Sequence, residues 1–242
     1  MRGLQNIMNK KGFTLAELLI TLGAIGVIAA LTIPTLHNNS SELEFRSAFK
    51  KGLAALNQAI TMNVAVDKVD FNSLTNTSYN DTTADSLYSV IVTRLSTSKF
   101  LLPTDDSLDA RMLNIGGVAG VGQGNTADKS PVGPNGNVAM FFTDGSCLIW
   151  NPEESIATRN SNGIFGIRAI WDVNGGKKPN RLTWCDTHAT NGQRNRTAKA
   201  TEDTSGPCTD DNIVIRDQYS ILLRGDRAYP NGKAAYYIFY MK

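Results

Sequence analysis

The chain predicts an α+β fold, with a long helix first and an antiparallel sheet after it. Three observations carry that expectation. An apolar run from Phe13 to Ile33 is followed by a narrow apolar stripe at helical spacing that ends at Ile60. The second half changes to short β-rich blocks, "NVAMFFTDGSCLIW" and "GIFGIRAIWDV" among them. Between the two, residues 103–137 are rich in Gly, Pro, Asn and Asp and read as irregular surface.

A length of 242 residues allows one or two domains. The formal net charge is +2, and three positive charges, Arg2, Lys10 and Lys11, fall in the first twelve residues. Removing those three leaves the remainder near −1. A nucleic-acid protein carries a basic face on its folded domain, so no nucleic-acid partner is indicated. The three cysteines, Cys147, Cys185 and Cys208, form no CxxC, which weakens a zinc or thioredoxin-type reading. In an exported domain, one disulfide and one spare thiol are expected. Three pairings are open, and the residues alone do not choose among them.

Phe13 to Ile33 is 21 residues long with Glu17 its only charge. As a helix it reaches about 30 Å, the thickness of a bilayer core. A secretory signal has a shorter apolar region, about 7–15 residues, and a small-residue cut site. A plain membrane anchor explains the length but leaves Glu17 without a reason. The basic residues ahead of the run place the N-terminus in the cytoplasm by the positive-inside rule, and the bulk of the chain outside.

The segment "KGFTLAELLITLGAIGVIAALTIP" resembles the N-terminus of type IV pilins and type II secretion pseudopilins. A short basic leader ends in Lys11-Gly12, an aromatic Phe13 follows, and a carboxylate stands at the fifth residue of the apolar span. Gly23, Gly26 and Pro34 fall where that family places helix weakeners. The resemblance implies cleavage between Gly12 and Phe13 by prepilin peptidase, and methylation of the new Phe13 amine by the same enzyme. It also implies that Phe13 and Glu17 carry assembly, as an ammonium and a carboxylate within one chain or between neighbours. Such a pair sets register, because a stagger that misses it leaves two bare charges in apolar surroundings. Gly23 and Gly26 have a plain reading as close-packing positions, and Pro34 removes one helical hydrogen bond. Together they mark a stretch where the helix can kink or locally melt.

The organisation implied is a leader at 1–12, a transmembrane and filament-core helix at 13–36, an amphipathic continuation at 37–66, and an extracytoplasmic globular head at 67–242. The fold implied is pilin-like, a long N-terminal helix packed on an antiparallel β-sheet head. The expected function is that of a non-enzymatic subunit, processed and then assembled into a helical filament. Its expected partners are the inner membrane, prepilin peptidase, other pilin-like subunits, and an assembly platform with its ATPase. Localisation follows as single-pass in the inner membrane, then in a pilus or pseudopilus. The other reading is a membrane-anchored surface binding protein for adhesion or DNA uptake. That reading requires a ligand site on the head, and the residues reveal none.

Along the continuation, Phe45, Phe49, Leu53, Leu56 and Ile60 are spaced 4, 4, 3 and 4, with Lys50, Lys51, Asn57 and Gln58 off the stripe. Residues 67–83 read as an Asn/Thr/Ser-rich loop. Leu87, Val90, Ile91 and Leu95 predict a second helix, capped by Thr83 or Asp85. Asp144-Gly145 between two apolar runs predicts a hairpin. "GIFGIRAIWDV" predicts a third strand, and "QYSILLRGDRAYP" with "KAAYYIFYMK" one or two more.

The loop "WDVNGGKKPN" is similar, more weakly, to loops in pseudopilin heads, and about 36 residues that resemble an insertion separate Asn180 from Asp217. Asp172 and Asn174 resemble the first ligands of a Ca²⁺ loop, but the twelfth position is Thr183 rather than Glu, so this is not an EF-hand. A tight polar turn is the competing account, and no other cofactor is indicated. Pilin-like heads often hold a C-terminal disulfide loop, which points to Cys185 and Cys208, with 22 residues between them. Gly120, Gly122 and Gly124 lack the strand, helix and acidic residue of a nucleotide loop. Arg224–Asp226 spells RGD but reads as a strand turn. His37 and His188 have no nucleophile or metal-spaced partner, and the carboxylate pairs Asp105-Asp106, Glu153-Glu154 and Asp210-Asp211 read as solvated surface.

Overall fold

A computed structural model describes residues 14–71, 74, 86–101, 138–150, 166–177, 180–185 and 208–241, apart from the side chains of 33–40 and 241. The chain divides into two compact units, Met1–Leu43 and Glu44–Lys242. One helix, α1, runs Leu15–Asp67 and contributes to both.

In the first unit the described part of α1 is an apolar helix with almost every side chain exposed. Ile20 and Leu31 are each 71% exposed. Its 18-residue stretch Leu15–Thr32 is long and apolar enough to cross a membrane.

The second unit is an α+β domain. Among the described residues its main sheet has six antiparallel strands, β1 (Thr97–Leu101), β2 (Val138–Phe142), β3 (Cys147–Trp150), β4 (Ile167–Asp172), β7 (Gln218–Arg224) and β8 (Arg227–Pro230), in that spatial order. Two short strands, β5 (Trp184–Cys185) and β6 (Ile213–Val214), pair with each other. The two-residue period of the strands sorts the side chains onto two faces. Val138, Met140, Phe142, Leu148, Trp150, Ile167, Ala169, Trp171, Tyr219, Ile221 and Leu223 belong to one buried cluster. Ala139, Cys147, Ile149 and Ile170 lie in a second cluster, with Leu101 and Leu182.

The last turns of α1 cover the first face. Phe49, Leu53, Leu56 and Ile60 are buried as the stripe predicts, and Phe45 is partly buried beside them. Phe49 stacks on Tyr219 of β7 with ring centroids 4.0 Å apart. Gly52 permits the close approach, since a Cβ there would stand 2.6 Å from Cε2 of Trp171. Polar residues off the stripe tie α1 down. Asn63, itself buried, donates to the carbonyl of Val90 at 2.6 Å and accepts from Arg94 Nε at 3.2 Å. Arg94 also pairs with Asp67 at 2.6 Å.

Several elements depart from expectation. Helix α2 is Leu87–Val92, capped by Ser86, whose hydroxyl accepts from Ser89 N–H at 3.1 Å, rather than by Thr83 or Asp85. Leu95 lies beyond the helix and packs against the core from a turn. Strand β1 follows at once, although Thr97–Leu101 carries little apolar pattern. Its outer residues are exposed and its pairing with β2 makes it a strand. The C-terminal "KAAYYIFYMK" is not a strand. It forms a short helix, α3 (Lys233–Tyr236), and a π-helical turn, Tyr237–Met241. Its aromatic residues suit a strand, but the buried positions Ala234, Ala235 and Ile238 recur at helical spacing, and Phe239 meets Phe49 edge-on at 6.2 Å. Packing against α1 overrides the local propensity.

Candidate functional site

Two places carry functional side chains. The first is the start of α1. Thr14 is non-helical and Leu15 opens the helix. Thr14 donates twice to the same carboxylate oxygen, Glu17 Oε2: from its N–H at 2.9 Å and from its hydroxyl at 2.8 Å. Glu17 N–H returns to Thr14 Oγ1 at 3.3 Å. This is a reciprocal capping box, written in the sequence as T-x-x-E. It supplies partners to donors that a helix start leaves unsatisfied. The sequence reading missed it by asking only what cation meets Glu17; the Thr-to-Glu spacing was the available signal. Gly12 and Phe13 lie outside the described residues. A Cβ at Gly23 or Gly26 would meet nothing within 4 Å, so neither glycine is packed in the first unit. The helical assignment runs through Gly23, Gly26 and Pro34.

The second place is the end of β4 in the head, where Asp172, Asn174 and the residues after Asn180 converge on β7. Asp172 pairs across the sheet with Gln218 and with Cys147. Its Oδ2 accepts from Gln218 Nε2 at 3.0 Å and its Oδ1 from Asn174 N–H at 3.1 Å. Asp217 accepts from Asn180 N–H at 2.6 Å and from Arg181 N–H at 2.9 Å, one on each oxygen. Both carboxyls are fully buried. Burial pushes the Asp172 pKa well up and the nearby Asp217 charge adds to it; burial likewise raises Asp217, against the backbone N–H bonds that lower it. Gly175 has φ +63, and a Cβ there would lie 2.6 Å from the carbonyl oxygen of Gly145, so the loop sits directly on the β2–β3 turn.

Asp172 and Asn174 are thus brought together, but all four carboxylate oxygens of this pair already hold an N–H donor. Calcium takes six to eight oxygen ligands. Among the described residues no group of three or more His, Cys, Asp or Glu is placed to hold a metal. The arrangement acts as a clamp that closes the segment between Asn180 and Asp217 at its root. Thr183 and Arg216 extend the closure, exchanging bonds at 3.0 and 2.9 Å. Beyond them β5 pairs with β6, and a disulfide joins Cys185 to Cys208, with Cα atoms 5.5 Å apart. Cys147 is a buried free thiol, its pKa raised by burial and then by the charge of Asp172. His188, the glycines 120, 122 and 124, and the pairs at 105–106 and 153–154 lie outside the described residues. Arg224–Asp226 forms the β7–β8 turn, whose Gly225 carbonyl accepts from Phe71 N–H at 2.7 Å.

An exposed apolar helix with one capped carboxylate near its start is an unusual combination for a soluble domain. Residues 7–33 match the family model of the prokaryotic N-terminal methylation motif. The chain carries a prepilin-type N-terminus. No curated protein and no solved structure matches it. The motif is that of structural subunits, and it implies processing by prepilin peptidase and assembly with other pilins. The apolar helix and the motif together are consistent with a membrane-anchored pilin. The α+β head, helix against antiparallel sheet, agrees with a pilin-like layout.

Proposed function

We propose that this chain is a structural subunit of a type IV pilus or a type II secretion pseudopilus. Prepilin peptidase cuts it between Gly12 and Phe13 and methylates the new amine. The released helix, with its head outside, is then drawn by the assembly platform and ATPase into a helical filament. One observation carries the reading. Glu17 is the only charge in the stretch Leu15–Thr32 of α1, whose apolar side chains are exposed and which lies inside a segment that matches the methylation motif. An exposed apolar surface of that extent needs a bilayer or other helices around it. A carboxylate there needs a cation, and cleavage before Phe13 creates one.

The test is intact-mass analysis of the mature chain from a strain that holds the peptidase. The mature N-terminus is expected at Phe13, with about 14 Da added by one methyl group. A chain that keeps Met1 in that strain overturns the reading.

A further inference from the structure

We propose that the outward face of α1 in the second unit is a seam for a second copy of this chain, set one heptad out of step, so that Glu44 of one copy meets Lys51 of the other. The proposal rests on the reading of the chain as a filament subunit, because that reading makes neighbouring copies parallel.

The face opposite the buried stripe has a period of its own. Glu44, Ala48, Lys51, Ala55, Gln58 and Met62 are spaced 4, 3, 4, 3 and 4. An average of 3.5 residues is the repeat with which one helix follows another. Ala48 is half-buried and the other five are exposed, Met62 by 46%. The composition is not that of a solvated face. From Gly52 to Val66 the helix carries no charged residue on any side, whereas a surface helix holds charges on the face away from the core. The two charges of the stripe, Glu44 and Lys51, stand together at its N-terminal end. Among the described residues neither has an ion-pair partner. Nor do they pair with each other, since seven residues set them about 10 Å apart along one helix.

Charge decides which register two parallel copies take on this face. In step, Glu44 opposes Glu44 and Lys51 opposes Lys51, and both contacts repel. Two heptads out of step, Glu44 faces Gln58 and meets no cation. One heptad out of step, about 10 Å along the axis, Glu44 opposes Lys51, Ala48 opposes Ala55, and Ala55 opposes Met62. The alanines let the helices approach, and the flexible thioether fills the space over Ala55. A polar contact in such a seam fixes register more than it adds stability. The face therefore fits a shifted copy of itself.

The full chain is expressed with its peptidase and assembly machinery, and filament yield is counted per processed subunit, so that a misfolded variant is not scored as an assembly defect. Glu44→Lys and Lys51→Glu, each alone, are expected to lower the yield roughly fivefold or more, because each turns an attraction into a repulsion. The double reversal exchanges the signs and is expected to restore wild-type yield. Register is read separately by oxidative trapping in filaments. Ala48→Cys combined with Ala55→Cys in one chain should give covalent dimers, and either substitution alone should give none. Cys147 is buried and Cys185 is bonded to Cys208, so the native cysteines do not compete. Dimers from a single substitution would place the copies in step and overturn the proposal. So would a combined variant without dimers, single reversals at wild-type yield, or a double reversal no better than the single ones. Failure of the filament reading looks different. Wild type that is neither cut before Phe13 nor assembled removes both ideas, whereas filaments that form without the dimers or the charge dependence remove only the seam.

Discussion

The side chain of Asn57 stands in for a strand at the edge of the sheet. Its Oδ1 accepts from the N–H of Ala228 at 2.7 Å, and its Nδ2 donates to the carbonyl of the same residue at 3.1 Å. Among the described residues strand β8 is the last in the sheet, and no described strand lies beside its outer row of backbone groups. Open edges of this kind recruit other chains. Asn57 therefore fastens α1 to the sheet and blocks the edge in one contact.

Replacing Asn57 with Ala removes both bonds and leaves the N–H and C=O of the buried Ala228 without this partner. A loss of about 1–3 kcal/mol is expected, the usual cost of stranding such groups. Denaturant unfolding of the chain in detergent measures it. The variant should also form β-rich aggregates faster than wild type. An unchanged midpoint with unchanged aggregation would show that the edge needs no guard.

Gly52 lies against the indole of Trp171 with no room for a methyl group. Gly52→Ala would gain helix propensity in a solvated helix. Here overpacking dominates, with an expected loss of about 1–3 kcal/mol as α1 or Trp171 is displaced. A lowered melting temperature and a blue- or red-shifted tryptophan emission would report it. An alanine variant as stable as wild type would mean that the helix seats farther from the sheet.

The buried carboxyls Asp172 and Asp217 give the head an acid-side advantage. Both have folded pKa values raised above the ordinary value, chiefly by burial, so the native state holds their protons more tightly than the unfolded chain does. Stability from this source is present at low pH and declines as pH rises from the unfolded value through the raised ones. Wild type minus Asp172→Asn, compared by thermal melting at about pH 5 and about pH 7, isolates the effect from the other carboxylates. The difference should favour wild type more at the lower pH. A pH-independent difference would mean that the pair is not jointly desolvated.

The Cys185–Cys208 bridge closes a segment 23 residues in sequence separation. Reducing it should cost about 3 kcal/mol by the loop-entropy account. In the reduced but folded chain the half-buried Cys208 should react with an alkylating reagent, and the buried Cys185 and Cys147 only after opening or denaturation. Mass analysis counts the labels. Rapid labelling of Cys147 in the folded state would contradict its placement.

The long-period patterns are legible in the sequence. Phe49, Leu53, Leu56 and Ile60 were set by helical spacing, the β2–β3 hairpin by two apolar runs around Asp144-Gly145, and the membrane-competent helix by its length and lack of charge. Each is a local pattern whose burial follows from counting along the chain, because the hydrophobic effect acts on the face a period presents. The N-terminal motif was legible for the same reason, being short and contiguous.

What the sequence could not decide depends on residues far apart in the chain. Asp172 and Asp217 share a clamp because β4 and β7 are neighbours in the sheet, and no spacing states that adjacency. Asn57 looked like a solvated residue until β8 arrived beside it, since a side-chain amide satisfies a strand edge as readily as water does. The C-terminal aromatic run became helical because Phe49 offered its residues a surface at helical spacing, outweighing the strand preference of Tyr, Ile and Phe. Local chemistry thus determined the membrane-competent helix and the strands of the head, while tertiary adjacency decided which polar groups are buried together and whose hydrogen bonds they satisfy.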